Sequence, residues 1–89
     1  MSIPIILYGA TDCDDTAHTC AALQARGIAY TAINIATDPA AEAFVRFINR
    51  GYRSTPTLVI GSGKRKVILT EPTPSDLDWA LSLATALHE

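Results

Sequence analysis

Two thiols, Cys13 and Cys20, are the nucleophilic sulfurs of this 89-residue chain, and their surroundings differ. Cys13 lies in Tyr8-Gly9-Ala10-Thr11-Asp12-Cys13-Asp14-Asp15-Thr16, between an apolar run (residues 3–8) and a helix-like stretch (residues 16–26) closed by Gly27. A cysteine at a strand-to-helix junction meets unpaired N–H groups and the positive end of a helix dipole, and both favour the thiolate. The Thr16 hydroxyl, one turn on, is placed to donate a hydrogen bond to the sulfur. Asp12, Asp14 and Asp15 act the other way, each worth about a kcal/mol or less when exposed in high dielectric. The same carboxylates also complement the helix dipole. Two readings follow: a reactive Cys13, or a sluggish one whose carboxylates cancel the helix effect.

Cys20 comes seven residues later. On one helix the two Cα atoms would be roughly 10 Å apart at ~1.5 Å rise per residue, beyond the reach of about 7 Å that a disulfide allows. Cys20 is therefore read as a small, half-buried apolar residue. Two histidines, His18 and His88, and two cysteines at unrelated spacings do not make an all-protein zinc site, so no metal is expected. His18 is read as a helix-surface residue and His88 as part of a fraying end. Arg53 is either a bidentate clamp for a substrate carboxylate or a loop arginine paired to a nearby acid.

The elements that must position these residues can be taken in order. Residues 3–8 are apolar at successive positions, as in a central strand covered on both faces, with Pro4 limiting where pairing begins. The first helix carries Thr16, Thr19, Cys20 and Leu23 on one stripe, while Ala17, Ala21, Ala22 and Ala25 supply helix propensity. Residues 29–35 read as a second strand, parallel to the first because a helix intervenes. Asp38-Pro39 is a strong helix start, followed by a stripe of Ala40, Phe44, Phe47 and Ile48 and a stop at Gly51. Residues 57–60 and 65–70 form an antiparallel hairpin around a turn at residues 61–64, with Lys64-Arg65-Lys66 as its solvated tip. Thr73 and Asp76 make a capping box for a last helix with Leu77, Ala80, Leu81 and Ala84 inward and Trp79 at a partly buried edge. The expected architecture is α/β: a three-layer sandwich, βαβ-α-ββ-α, around a four-stranded mixed sheet in one domain, residues 1–89.

Composition narrows the partners. A net charge of −2 and pI ≈ 5.5 argue against nucleic acid or anionic membrane surfaces. No 18-residue apolar run and no leader-like start is present, so a cytoplasmic, reducing location is expected.

The residues Leu7-Tyr8, Cys13, Leu23, Gly27-Ile28-Ala29-Tyr30, Phe44-Val45, Asn49, Gly51, Arg53-Ser54-Thr55-Pro56-Thr57 and Glu71-Pro72, at gap-free spacing, resemble the glutaredoxin family of the thioredoxin fold. The likeness is narrower to its mycoredoxin-like, monothiol members. It runs over nearly the whole chain. It implies a thiol–disulfide oxidoreductase in which Cys13 attacks the mixed disulfide of a protein with a low-molecular-weight thiol. That thiol, glutathione or a mycothiol- or bacillithiol-like one, is the co-substrate. Cys13 and Thr16 would be catalytic, Thr16 standing where many members have a resolving cysteine. Tyr8, Arg53, Thr55, Pro56, Ser75 and Asp76 would bind substrate or thiol. Pro56 would be cis, and the Thr55 backbone would pair with the bound peptide. Disulfide or mixed-disulfide proteins and small thiols are the implied partners of a monomer. Alternatives are an iron–sulfur-binding dimer using Cys13 and two thiol cofactors, a thioredoxin-fold adaptor without turnover, and arsenate reductase-like chemistry, for which Arg53 alone is thin support.

Overall fold

Pro4 has no N–H to offer a sheet, and strand β1 (Ile5–Gly9) begins immediately after it. Its carbonyl still accepts from the Gly61 N–H at 2.8 Å. The computed structural model describes residues 3–88, so Met1, Ser2 and Glu89 of the expected 1–89 domain lie outside the described residues.

After β1 come helix α1 (Asp14–Ala25), strand β2 (Thr31–Asn34), helix α2 (Pro39–Ile48), strands β3 (Thr57–Ser62) and β4 (Arg65–Thr70), and helix α3 (Pro74–Leu87). The sheet order is β2-β1-β3-β4. β1 pairs parallel with β2 and antiparallel with β3, and β3 pairs antiparallel with β4. This is the expected βαβ-α-ββ-α order and mixed sheet.

Strand alternation divides the core into two layers. Ile5, Leu7, Leu58 and Ile60 point to one side and meet Leu23 of α1 with Leu77, Ala80 and Ala84 of α3. Tyr8 and Ile33 point to the other and meet Ala41 and Val45 of α2, together with Ile35. Arg26 ties the α1 end to α3 through both carboxylate oxygens of Asp78, at 2.7 and 3.1 Å.

Helix boundaries follow local chemistry. Asp38 caps α2 by accepting from the Ala41 N–H at 3.0 Å, with Pro39 in the first turn. Thr73 and Asp76 form the reciprocal capping box of α3. Gly27, at φ +67°, closes α1: its N–H reaches Gln24 O at 3.0 Å, and the Ile28 N–H reaches Leu23 O at 3.1 Å.

Several expectations need correction. The buried face of α2 is Ala41 and Val45, with Phe44 and Ile48 half-buried, while Ala40 is exposed and Phe47 is 81% exposed. The helix is rotated by about 65°, less than one residue, from the stripe expected. α1 starts two residues early, at Asp14. β3 runs on to Ser62, so that Ser62 pairs with Arg65 and the hairpin turn is only Gly63-Lys64. β2 is shorter than expected and exposed over Thr31 and Ala32. β1 is fully covered only on its α1/α3 side, leaving Ile6 half-buried. His88 does not fray: its Nε2 lies 2.8 Å from Arg65 O. Trp79 is 61% exposed rather than set into a helix edge.

The end of α2 is knitted to the sheet by one side chain. Asn49 Nδ2 donates to Val45 O at 2.8 Å and to Thr57 Oγ1 at 3.0 Å, and its Oδ1 accepts from the Thr70 hydroxyl at 2.6 Å. The buried Thr57 hydroxyl donates in turn to Ser54 O at 2.9 Å. Asn49→Ala removes three of these bonds and should cost about 1–2 kcal/mol. The check is urea unfolding, where the midpoint should fall with the slope unchanged; an unmoved midpoint would show the network to be dispensable.

Candidate functional site

The register of β1 against β3 builds the site. Tyr8 pairs with Thr57, so the chain leaving β1 and the chain entering β3 emerge side by side at one end of the sheet. The first supplies Cys13 and the second Thr55-Pro56. Cys13 occupies the N-cap position of α1 with extended backbone (φ −102°, ψ 117°), and its side chain makes no cap bond. The sulfur is thus left free beside the helix start. Its N–H donates to Ala10 O at 3.2 Å, which closes the loop beneath it.

Thr55 faces the sulfur. The Thr55–Pro56 peptide bond is cis, and Pro56 is buried. Cys13 Sγ lies 3.5 Å from Thr55 O. The segment is held from both sides, by Thr57 donating to Ser54 O and by the Glu71 N–H donating to Pro56 O at 2.8 Å.

These surroundings draw the Cys13 thiol below its ordinary pKa. The largest cause is the Thr16 hydroxyl, followed by the Thr55 side chain; partial burial works against them, and the N–H groups of Thr16 and Asp15 add to them. The thiol's own contact with Thr55 O favours the protonated form, but at 3.5 Å from a weak S–H donor it is minor. Thr16 Oγ1 accepts from the Ala10 N–H at 3.3 Å, a bond that does not use its hydroxyl proton.

Of the residues singled out from sequence, the structure therefore brings together Cys13, Thr16, Thr55 and Pro56. Tyr8 is half-buried with its ring against Phe44, centroids 5.0 Å apart, in the α2 layer. Arg53 Nε contacts Glu42 Oε1 at 2.8 Å, which is the paired-arginine alternative of the two weighed. Glu42 also receives Arg46 at 3.4 Å. Asp76 accepts from the Thr73 N–H through Oδ2 alone, and Ser75 is exposed in the first turn of α3. Cys20 is a free, half-buried thiol packed against the core, as expected, and with burial it pushes the Tyr30 hydroxyl up in pKa. Among the described residues, no three His, Cys, Asp or Glu side chains gather where they could hold a metal ion.

Sequence reasoning missed Gly9. The apolar run expected as the first strand stops at Tyr8, yet Gly9 ends β1 and is buried. The usable signal was alternation: Ile5, Leu7 and Gly9 share the inward face, and an inward glycine in a strand marks a close approach by another element.

Comparison with known proteins is consistent with this geometry. Residues 5–64 match the glutaredoxin family model. A single-residue variant of the thioredoxin-like protein BC3987 shares the fold at 24% identity, covering 89% of this chain and 95% of that one, with a TM-score of 0.73. The glutaredoxin-like protein NrdH-redoxin from Escherichia coli matches at 24% identity over 85% and 92% of the two chains, with a TM-score of 0.70. A malarial protein matches at 12% identity over 92% and 96%, with a TM-score of 0.64. No curated protein sequence matches the chain.

A lowered thiol pKa has a stability consequence with a definite sign. Between the native value and the unfolded one near 8.5, the unfolded chain holds more of the Cys13 proton, so folding stability rises with pH. The contribution is complete above the unfolded value and lost as pH falls through the native one. Denaturation of the native chain and of Cys13→Ser across this window should show the difference between them growing with pH. A constant difference would mean that Cys13 titrates as it does unfolded.

Proposed function

The chain belongs to the glutaredoxin family, and from that premise we propose that it is a monothiol thiol–disulfide oxidoreductase acting through Cys13. The observation that carries this reading is the lone sulfur at the α1 N-terminus, 3.5 Å from the carbonyl oxygen of half-buried Thr55, with its pKa drawn down by two threonine hydroxyls.

The steps need one cysteine. Cys13 thiolate attacks the small-thiol sulfur of a mixed disulfide, forming a Cys13–small-thiol disulfide and releasing the protein thiolate. A second small thiol, as its thiolate, then attacks the small-thiol sulfur bound to Cys13. It leaves as the symmetric disulfide, with Cys13 restored as thiolate. The Thr16 hydroxyl stabilises the Cys13 thiolate both as nucleophile and as leaving group. The Thr55 backbone offers an edge for the extended peptide around the substrate sulfur.

The binding of the small thiol is assigned to the rim. Arg53 is exposed, and its pair with Glu42 is of the kind worth about 0–1 kcal/mol, so a substrate carboxylate can take the guanidinium over. Ser75 and Asp76, in the first turn of α3, offer a hydroxyl and a carboxylate to the carboxyl and amino groups of such a thiol. Tyr8 acts from beneath, as packing. The co-substrate is a glutathione-, mycothiol- or bacillithiol-like thiol, and the setting a monomer in a reducing, cytoplasmic compartment where free thiols persist.

Reduction of a protein–small-thiol mixed disulfide, with the small thiol in excess, should vanish in Cys13→Ser and survive in Cys20→Ser. Activity retained by Cys13→Ser would end the proposal. Activity lost in Cys20→Ser would require a two-cysteine mechanism instead.

A further inference from the structure

Thr16 can hold the sulfur only if its side chain keeps one orientation, and threonine in a helix has two good rotamers. Position 16 is in the first turn of α1, so neither rotamer is imposed by the helix alone. What selects the one observed lies on the neighbouring strand.

Gly9 sits directly under Thr16. A Cβ built on Gly9 would stand 2.5 Å from Thr16 Cγ2, 3.0 Å from Leu7 Cδ2 and 3.1 Å from Thr16 Oγ1. The first distance is impossible for real atoms, and the other two are tight. The Gly9 backbone has no need of glycine on conformational grounds: it is regular β1, paired with Asn34, its carbonyl accepting from the Ile35 N–H at 3.1 Å. Gly9 is also absent from the glycines with positive φ. Glycine inside a strand weakens it. The close approach of Thr16 is the remaining reason for glycine at this position.

We propose that Gly9 is a positioning residue for the Cys13 nucleophile: its missing side chain lets Thr16 lock against the strand with its methyl on Gly9 and its hydroxyl on the Ala10 N–H, on the side of the helix start where Cys13 stands. The packing and the Ala10 hydrogen bond select the same rotamer. A side chain at position 9 would force Thr16 to turn, swinging the hydroxyl away from the Ala10 N–H and from the helix start. This deepens the proposed function, since it takes Cys13 as the nucleophile, but it concerns the thiol itself and not turnover.

The geometry separates methyl from hydroxyl. Serine at position 16 lacks Cγ2, the atom that would clash, and retains an oxygen that needs to yield only a few tenths of an ångström. The test is the pH dependence of Cys13 alkylation by iodoacetamide in a Cys20→Ser background, with mass spectrometry counting adducts. Gly9→Ala should move the thiol pKa up, to that of Thr16→Val, which lacks the hydroxyl. At pH values well below both pKa values, each unit of that rise reduces thiolate about tenfold while raising its intrinsic nucleophilicity about 2.5-fold, so alkylation there slows about fourfold per unit. Gly9→Ala/Thr16→Ser should return the profile to that of Thr16→Ser, close to the native one. A folded Gly9→Ala with the native profile would overturn the proposal, as would a double variant that keeps the raised pKa. If Gly9→Ala does not fold, the relieved double variant decides alone: matching Thr16→Ser supports the positioning role, and matching Thr16→Val refutes it. These profiles are read on the thiol, so they stand whether or not the chain reduces mixed disulfides.

Discussion

The antiparallel pairing of β1 with β3 is the constraint on which the site depends. Cys13 and Thr55 are 42 residues apart in sequence, and they meet because the last register pair, Tyr8 with Thr57, aligns the exits of two strands at one sheet end. A register slip of one residue would turn Leu7 and Leu58 from the core to the opposite face. The core thus fixes the site: with Leu7 and Leu58 fully buried against Leu23 and Leu77, little freedom is left in where Cys13 emerges.

Given that placement, the state of the sulfur is decided by short contacts over long-range charge. Asp12, Asp14 and Asp15 are exposed, and water reduces each charge–charge term at such distances to about a kcal/mol or less. A hydrogen bond to a charged group contributes about 1.5–3 kcal/mol and is not screened away. Two threonine hydroxyls and two backbone N–H groups lower the Cys13 pKa, which supports the reactive reading proposed for it. Thr16 is the largest of these contributions, so what lies beneath Thr16 matters.

Much of this was legible in the chain because it rests on local signals. Asp38-Pro39, the Thr73/Asp76 box and Gly27 are caps whose chemistry is complete within four residues. The inward stripe of α3 was equally plain. The face of α2 was not, because Ala40, Phe44, Phe47, Ile48 and Ala41, Phe44, Val45, Ile48 are overlapping stripes only about 65° apart in rotation. Only the sheet decides between them, and it favours Val45 over the larger Phe47. The partner of Arg53 was open for a similar reason: Glu42 lies eleven residues away, on a helix whose orientation the stripe had misjudged. Gly9 was obscured by its own residue type, since glycine after an apolar run reads as the start of a loop. Its role needs Thr16 on the adjacent helix to become visible.

The central claim is that one sulfur carries the exchange. It is tested most directly by intact-mass spectrometry of the reduced chain mixed with a stoichiometric amount of a peptide–small-thiol disulfide. The account predicts one small-thiol adduct per chain, located on Cys13, one free peptide thiol released for each, and complete loss of the adduct on adding more small thiol. An adduct on Cys20, an internal Cys13–Cys20 disulfide, or an unmodified chain would contradict it.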